Sequence, residues 1–214
     1  MSKTKIRALI LDYGGVISLP QRSENVNNIL QTLNLEHDDF MQVYLSLRGD
    51  LDNGQIRAKQ FWMNVLGEFG LESKTEYIPY LIQEDIASWT KNNDLVIQFI
   101  SENRDIFFKT AVISNMPMDV LEYMRSKFNW FELFDVLVFS CEVGVNKPDS
   151  EIYKTCLREL NLPASDCLFV DDSLDNVRAA KELEMHAIQF GIFPDFLIEF
   201  NNKFSPSSNS RGSS

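Results

Sequence analysis

The chain has 214 residues, of which 44% are hydrophobic and 24% charged, and a formal net charge of −11. That is enough apolar material for one large domain, or for a core domain carrying a smaller insertion. The negative balance argues against nonspecific binding to nucleic acid or to an anionic membrane, because the whole-molecule field repels polyanions, whereas a small anion can still bind where a local cation or metal reverses the sign.

The first predicted strand is Arg7–Leu11, which delivers Asp12 onto Tyr13-Gly14-Gly15. The mildly basic start has an apolar run that stops at Asp12, too short for a signal peptide. Residues 21–89 then carry four apolar stripes at helical spacing: Val26, Ile29, Leu30 and Leu33; Phe40, Val43, Tyr44 and Leu47; Trp62, Val65, Leu66 and Phe69; and Ile78, Leu81 and Ile82. With no strand between them, they predict a small helical bundle inserted after the first strand. The rhythm then changes to alternating helix and strand. The helices are Asp94–Glu102, Met118–Phe128, Asp149–Leu160 and Leu174–Leu183, and the strands Thr110–Ser114, Val136–Ser140, Cys167–Val170 and His186–Phe190.

The strands are apolar throughout, as strands buried on both faces of a parallel sheet are. The expected fold is therefore α/β: a doubly wound, Rossmann-like parallel sheet formed by residues 1–20 and 90–200, with residues 21–89 as an α-helical cap. Residues 205–214, rich in Ser, Asn and Gly, are expected to form a flexible tail. No uninterrupted apolar stretch is long enough to span a bilayer. Cys141, Cys156 and Cys167 have no metal-type spacing and read as buried or partly buried thiols in a reducing compartment, so a cytoplasmic location is expected.

In an open parallel sheet, ligands bind at the carboxyl ends of the strands. Here those ends read Asp12; Ser114-Asn115 in "AVISNMP"; Lys147-Pro148 after "SCEVGVN"; and Asp171-Asp172-Ser173, with Asp175 one turn later. A hydroxyl or carboxylate at one strand end is commonly a helix cap. A carboxylate, a hydroxyl, an ammonium and a carboxylate pair on successive strands make a chemical set.

That set resembles the four motifs of the haloacid dehalogenase superfamily of hydrolases, with "LDYGGV", "ISN", "NKPD" and "VDDSLDN" standing for motifs one to four. The phrases "GVNKPDSEIY" and "DDSLDNVRAAKELEMHAI" are similar to a subgroup that includes α-glucose-1-phosphate phosphatases and the amino-terminal phosphatase domain of soluble epoxide hydrolases. The resemblance places the helical insertion where that family carries its C1-type cap. It implies an Mg²⁺-dependent phosphatase acting on a small phosphorylated metabolite, with Asp12 as nucleophile. Asp12, the Gly14 carbonyl and Asp172 would hold the metal, while Asp171 and Asp175 would support it or touch it through water. Ser114 and the Asn115 amide would bind phosphoryl oxygens, and Lys147 would offset the negative charge.

One position departs from the family. Its phosphatases usually carry a second Asp two residues after the nucleophile, which protonates the leaving group and then activates water, although the similar sugar-phosphate phosphatase subgroup also tolerates Gly there. Here that position is Gly14. Such help is worth about 10²–10⁴-fold, so three readings stay open: a phosphatase with a substituted proton donor or an easily leaving substrate such as an anomeric phosphate; a metal-independent 2-haloacid dehalogenase; or a phosphate-ligand binding module without turnover. Asp50 and Asp52 are candidate donors, although "GDLDNGQ" reads first as a turn. Arg48 and Arg57 could reach a second anionic group or be solvated surface residues. Phe61, Trp62 and Trp89 are expected in the bundle's own core, Gln21 is a possible substrate contact, and His37 and His186 have no assigned role. The oligomeric state is not legible.

Overall fold

The computed structural model describes residues 3–206. The short strand β1 (Thr4–Ile6) turns at Arg7 into β2 (Ala8–Leu11), and a tight turn over Tyr13–Ile17 leads out of the sheet. Helices α1 (Ser23–Leu33), α2 (His37–Asp52), α3 (Ala58–Glu68) and α4 (Ile78–Ser88) follow, and then α5 (Asp94–Asn103). Beyond them the chain runs β3 (Lys109–Ser114), α6 (Met118–Lys127), β4 (Val136–Phe139), α7 (Ser140–Val143), α8 (Ser150–Leu160), β5 (Cys167–Asp171), α9 (Leu174–Glu182), β6 (His186–Gln189), α10 (Phe193–Lys203) and β7 (Phe204–Pro206).

Five strands form one parallel sheet in the order β4-β3-β2-β5-β6, with β2 at its centre. Side chains alternate across it because the strand period is two. Leu9 and Leu11 face a layer containing Val96, Phe99, Val120 and Phe196, whereas Ala8 and Ile10 face Ile152, Tyr153, Cys156 and Ala180. Burial on both faces is why these strands are continuously apolar. The fold is the expected doubly wound α/β sheet, with strand ends within a residue or two of their predicted places. Ser140 leaves the third predicted strand to begin α7, and Asp149 caps α8 by accepting from the Glu151 amide at 2.9 Å.

Helices α1–α4 have their own apolar cluster, in which Tyr44, Phe61 and Trp62 are fully buried and meet edge-on or tilted. The two connections to the sheet run antiparallel: Leu19 donates to the Lys91 carbonyl and Asn93 to the Ile17 carbonyl, both at 2.8 Å. Helix α10 and the parallel β1–β7 pair were not anticipated. The pair takes in residues 205 and 206 of the expected tail, whose residues 207–214 lie outside the described part. No helix among the described residues is long and apolar enough to cross a membrane.

Candidate active site

Register positions the first acids. Leu11 pairs with Val112 on one side and Val170 on the other, so Asp12 leaves β2 level with Asp171. Like charges opposite one another on adjacent strands repel, and Lys147 resolves the conflict. Its Nζ lies 2.7 Å from Asp12 Oδ1 and 2.7 Å from Asp171 Oδ2, and donates to the Ile113 carbonyl at 3.1 Å. Asn115 holds that lysine at its backbone, accepting from the Lys147 amide at 2.7 Å and donating to its carbonyl at 3.0 Å. Asp171 is saturated: besides Lys147 it accepts from the Ser173 amide and from Asn176 Nδ2. Asp12 differs. Its Oδ1 takes Lys147 and the Tyr13 amide, while Oδ2 has no donor among the described residues.

Electrostatically the cluster is short of positive charge. Oxygens of Asp12, Asp171 and Asp172 lie within 4.8 Å of one another, with one lysine among them. Burial raises the Asp12 pKa to about 7, Lys147 opposes the rise, and Asp171 and Asp172 add to it. Burial also raises Asp172, with Asp171 acting in the same direction. For Lys147, burial works against the charge, but Asp12 and Asp171 outweigh it and hold the pKa above the ordinary value. A hard divalent cation held by the Asp12 and Asp172 carboxylates would complete this donor set, which is all oxygen, as Mg²⁺ requires. Gly15 makes the room. Its φ is +70°, and a Cβ there would stand 2.5 Å from Asp172 Oδ2.

Above these groups lies a cavity of about 410 Å³, within the usual range for small-molecule sites. Asp12, Gly14, Ser114, Asn115, Lys147 and Asp172 all line it, so the strand ends do converge. Asp175 does not join them. It stands exposed on the first turn of α9 and pairs with Arg178 at 3.4 Å.

The insert contributes the other wall, where several expectations need correction. The "GDLDNGQ" segment is not a turn at its acids: α2 runs through Asp52. Asp50 is exposed, whereas Asp52 lines the cavity and binds Arg48 through Nε at 3.1 Å and Nη2 at 2.8 Å. Arg48 is no surface residue. It also reaches the Tyr44 hydroxyl and Asp85, and its guanidinium lies over the Trp89 ring, 5.9 Å from the centroid. Arg57 faces away and clamps the insert to α6 through Asp119 and Glu122. Phe61 and Trp62 are core, as expected, but Trp89 is a cavity wall. Gln21 reaches Tyr44 and Ser88. His37 pairs with exposed Asp38, and His186 packs edge-on against Phe204. Sequence reasoning missed Asp85, Asn176 and the binding role of Tyr44 at this site, together with Tyr13, whose hydroxyl donates to the Trp89 carbonyl at 2.7 Å and ties the Asp12 turn to the insert.

Comparison with known proteins agrees with this geometry. The model of the haloacid dehalogenase-like hydrolase family matches residues 6–183. The sequence is 24% identical over 185 residues to drimenol cyclase drtB of Aspergillus calidoustus, covering 86% of this chain and 34% of that protein. It is 34% identical over 74 residues to sesquiterpene phosphatase astK of Aspergillus oryzae, covering 35% and 38% respectively. The chain thus spans about a third of the length of these relatives. Its fold matches that of the HAD family enzyme bt-2542 of Bacteroides thetaiotaomicron with a TM-score of 0.78 at 18% identity, covering 92% of this chain and 98% of that one. The same enzyme has been solved with magnesium and inorganic phosphate, where the TM-score is 0.69.

Proposed function

Because this chain belongs to the haloacid dehalogenase-like hydrolase family, we propose that it is an Mg²⁺-dependent phosphatase that hydrolyses a small phosphomonoester, sugar phosphates included, through an aspartyl-phosphate at Asp12. One observation carries the reading: Asp12 has one oxygen fixed by Lys147 and the Tyr13 amide and the other without a donor among the described residues, in a cluster that has more negative charge than Lys147 can balance. The phosphatase and the magnesium–phosphate complex among the similar proteins support it.

In this reading the fixed oxygen orients the carboxylate for attack on phosphorus by its partner, a positional gain. Ser114 Oγ, buried at the cavity wall, donates to a phosphoryl oxygen. Lys147 is held by Asn115 and Asp171 before any ligand arrives, so its charge costs no reorganisation during the reaction. Asp12, the Gly14 carbonyl and Asp172 would hold the metal. Bound there, Mg²⁺ supplies charge neutralisation between carboxylates and phosphate. From residues 21–89, α2 and Trp89 wall the cavity, and the insert would act as the cap that excludes water.

A panel of phosphomonoesters tests this, run with Mg²⁺, with EDTA and with Asp12→Asn. We expect phosphate release that EDTA abolishes and that Asp12→Asn lowers by at least about 10⁴-fold. Chloride release from 2-chloropropionate in EDTA, with no phosphate release from any ester, would replace this reading with dehalogenation.

A further inference from the structure

Gly14 cannot protonate a leaving group. A Cβ at position 14 would already touch the Trp89 ring, 3.7 Å from Cζ3. The proton must come from elsewhere in the cavity. Among the described residues lining it, the carboxylates are Asp12, Asp172 and Asp52. Asp12 and Asp172 belong to the cluster around Lys147. Tyr44 and Tyr13 are also present, but burial pushes both hydroxyls above their ordinary range, and each donates its proton within the protein, to Asp85 Oδ1 at 2.5 Å and to the Trp89 carbonyl at 2.7 Å.

We propose that Asp52, on the last turn of α2, is the general acid and base of this enzyme, supplied by the insert in place of the absent side chain at position 14. This rests on the phosphatase reading above. Three features of the position argue for it. First, Arg48 grips Asp52 through Oδ1 alone, leaving Oδ2 without a protein donor among the described residues. Second, the backbone is anchored. Ser140 Oγ donates to the Asp52 carbonyl at 2.5 Å and accepts from the Met116 amide at 2.9 Å, next to the strand end that carries Ser114. Third, the chain on either side of Asp52 is held against the core. Gly54, at φ +77°, lies so close to Cys141 that a Cβ would stand 2.7 Å from its carbonyl oxygen, and Asn146 donates to the Gly49 carbonyl at 2.8 Å. The acid is thus mounted on the core although it belongs to the insert. Burial raises its pKa despite the Arg48 contact, the direction a proton donor needs.

The proton balance is closed. As Asp12 forms its bond to phosphorus, the phosphorus–oxygen bond to the alcohol breaks, and protonated Asp52 gives its proton to that oxygen. Water then attacks the aspartyl-phosphate and passes a proton to ionised Asp52, while the bond between phosphorus and Asp12 breaks. Inorganic phosphate leaves, Asp12 is a carboxylate again and Asp52 is again protonated.

The test uses two esters that differ in their need for a proton: an alkyl phosphate, whose alkoxide leaves poorly, and p-nitrophenyl phosphate, whose phenolate leaves unaided. In Asp52→Asn, which can still accept from Arg48, kcat/KM for the alkyl ester should fall about 10²–10⁴-fold. For the nitrophenyl ester it should change by less than about tenfold, with a burst of nitrophenolate and accumulation of labelled phosphoprotein, because the second step has lost its base. Asp50→Asn, an exposed acid on the same helix, should behave as wild type. Equal losses on both esters, or no loss on either, would overturn the assignment. Phosphate release that persists in Asp12→Asn would instead remove the aspartyl-phosphate at Asp12 on which the assignment rests, and no release from any ester by the wild type would remove the phosphatase reading itself.

Discussion

Two buried ionic clusters meet at the cavity, one built on strand ends and one on helix faces, and their bookkeeping of charge differs. On the sheet side, Lys147 serves Asp12 and Asp171 directly, with Asp172 nearby, so three acids share one base. On the insert side, Arg48 serves Asp52 and Asp85, with the Tyr44 hydroxyl accepting from the guanidinium and donating to Asp85. The first cluster leaves a carboxylate oxygen open where a metal and a phosphate would sit. The second leaves one open where an alcohol would depart. In each cluster the one cation favours the ionised acids while burial works the other way.

Removing each cation should separate the two. Lys147→Met is expected to have the larger effect. It leaves Asp12 and Asp171 buried without a counter-charge, which costs about 3–5 kcal/mol at neutral pH. The sign follows from the direction of Asp12: its folded pKa is already raised to about 7 and rises further in the variant. The deficit relative to wild type should therefore be smallest in acid, where Asp12 carries a proton, and widen as pH climbs through 7. Urea unfolding at several pH values measures it, and a deficit constant with pH would show that the lysine contributes packing alone.

Arg48→Met should cost less, about 2–3 kcal/mol. Its side chain keeps some exposure, and Asp52, already raised by burial, can take up a proton and remain in place. The same unfolding series measures this, and a loss equal to that of Lys147→Met would mean that the two clusters are equally dry. Smallest is Arg57→Ala, which breaks half-exposed pairs to Asp119 and Glu122 between insert and core. Exposed pairs contribute about 0.2–1 kcal/mol, so its midpoint should barely move, and less still in high salt. A larger loss would make that clamp, rather than the Asp52–Ser140 contact, the main attachment of the insert.

The two clusters also differ in how far they could be read in advance. Asp12, Ser114, Lys147 and Asp171 each follow a predicted strand, and a parallel sheet presents all such ends on one rim, so spacing along the chain was enough to find them. Asp175 shows the limit of that rule. One turn into a helix, direction depends on the helix rotation, and this side chain turns to solvent. On the insert, Asp50 and Asp52 were equivalent in sequence, and so were Arg48 and Arg57. Only packing assigned one of each pair to the cavity and the other to the surface.

The order of apolar runs, their periods of two and of three to four, and the residue types at strand ends were thus decided by the chain alone, because local hydrophobic patterning dictates which face each element buries. The facing of the insert against the sheet was decided only in three dimensions. Trp89 looks like any buried aromatic in sequence, yet it fills the space beside Gly14, and Asp52 reaches the cavity because Ser140, Asn146 and the close approach of Gly54 to Cys141 dock α2 there. Those contacts join residues some ninety positions apart, and no periodicity along a chain encodes which face of one folded body will lie against another.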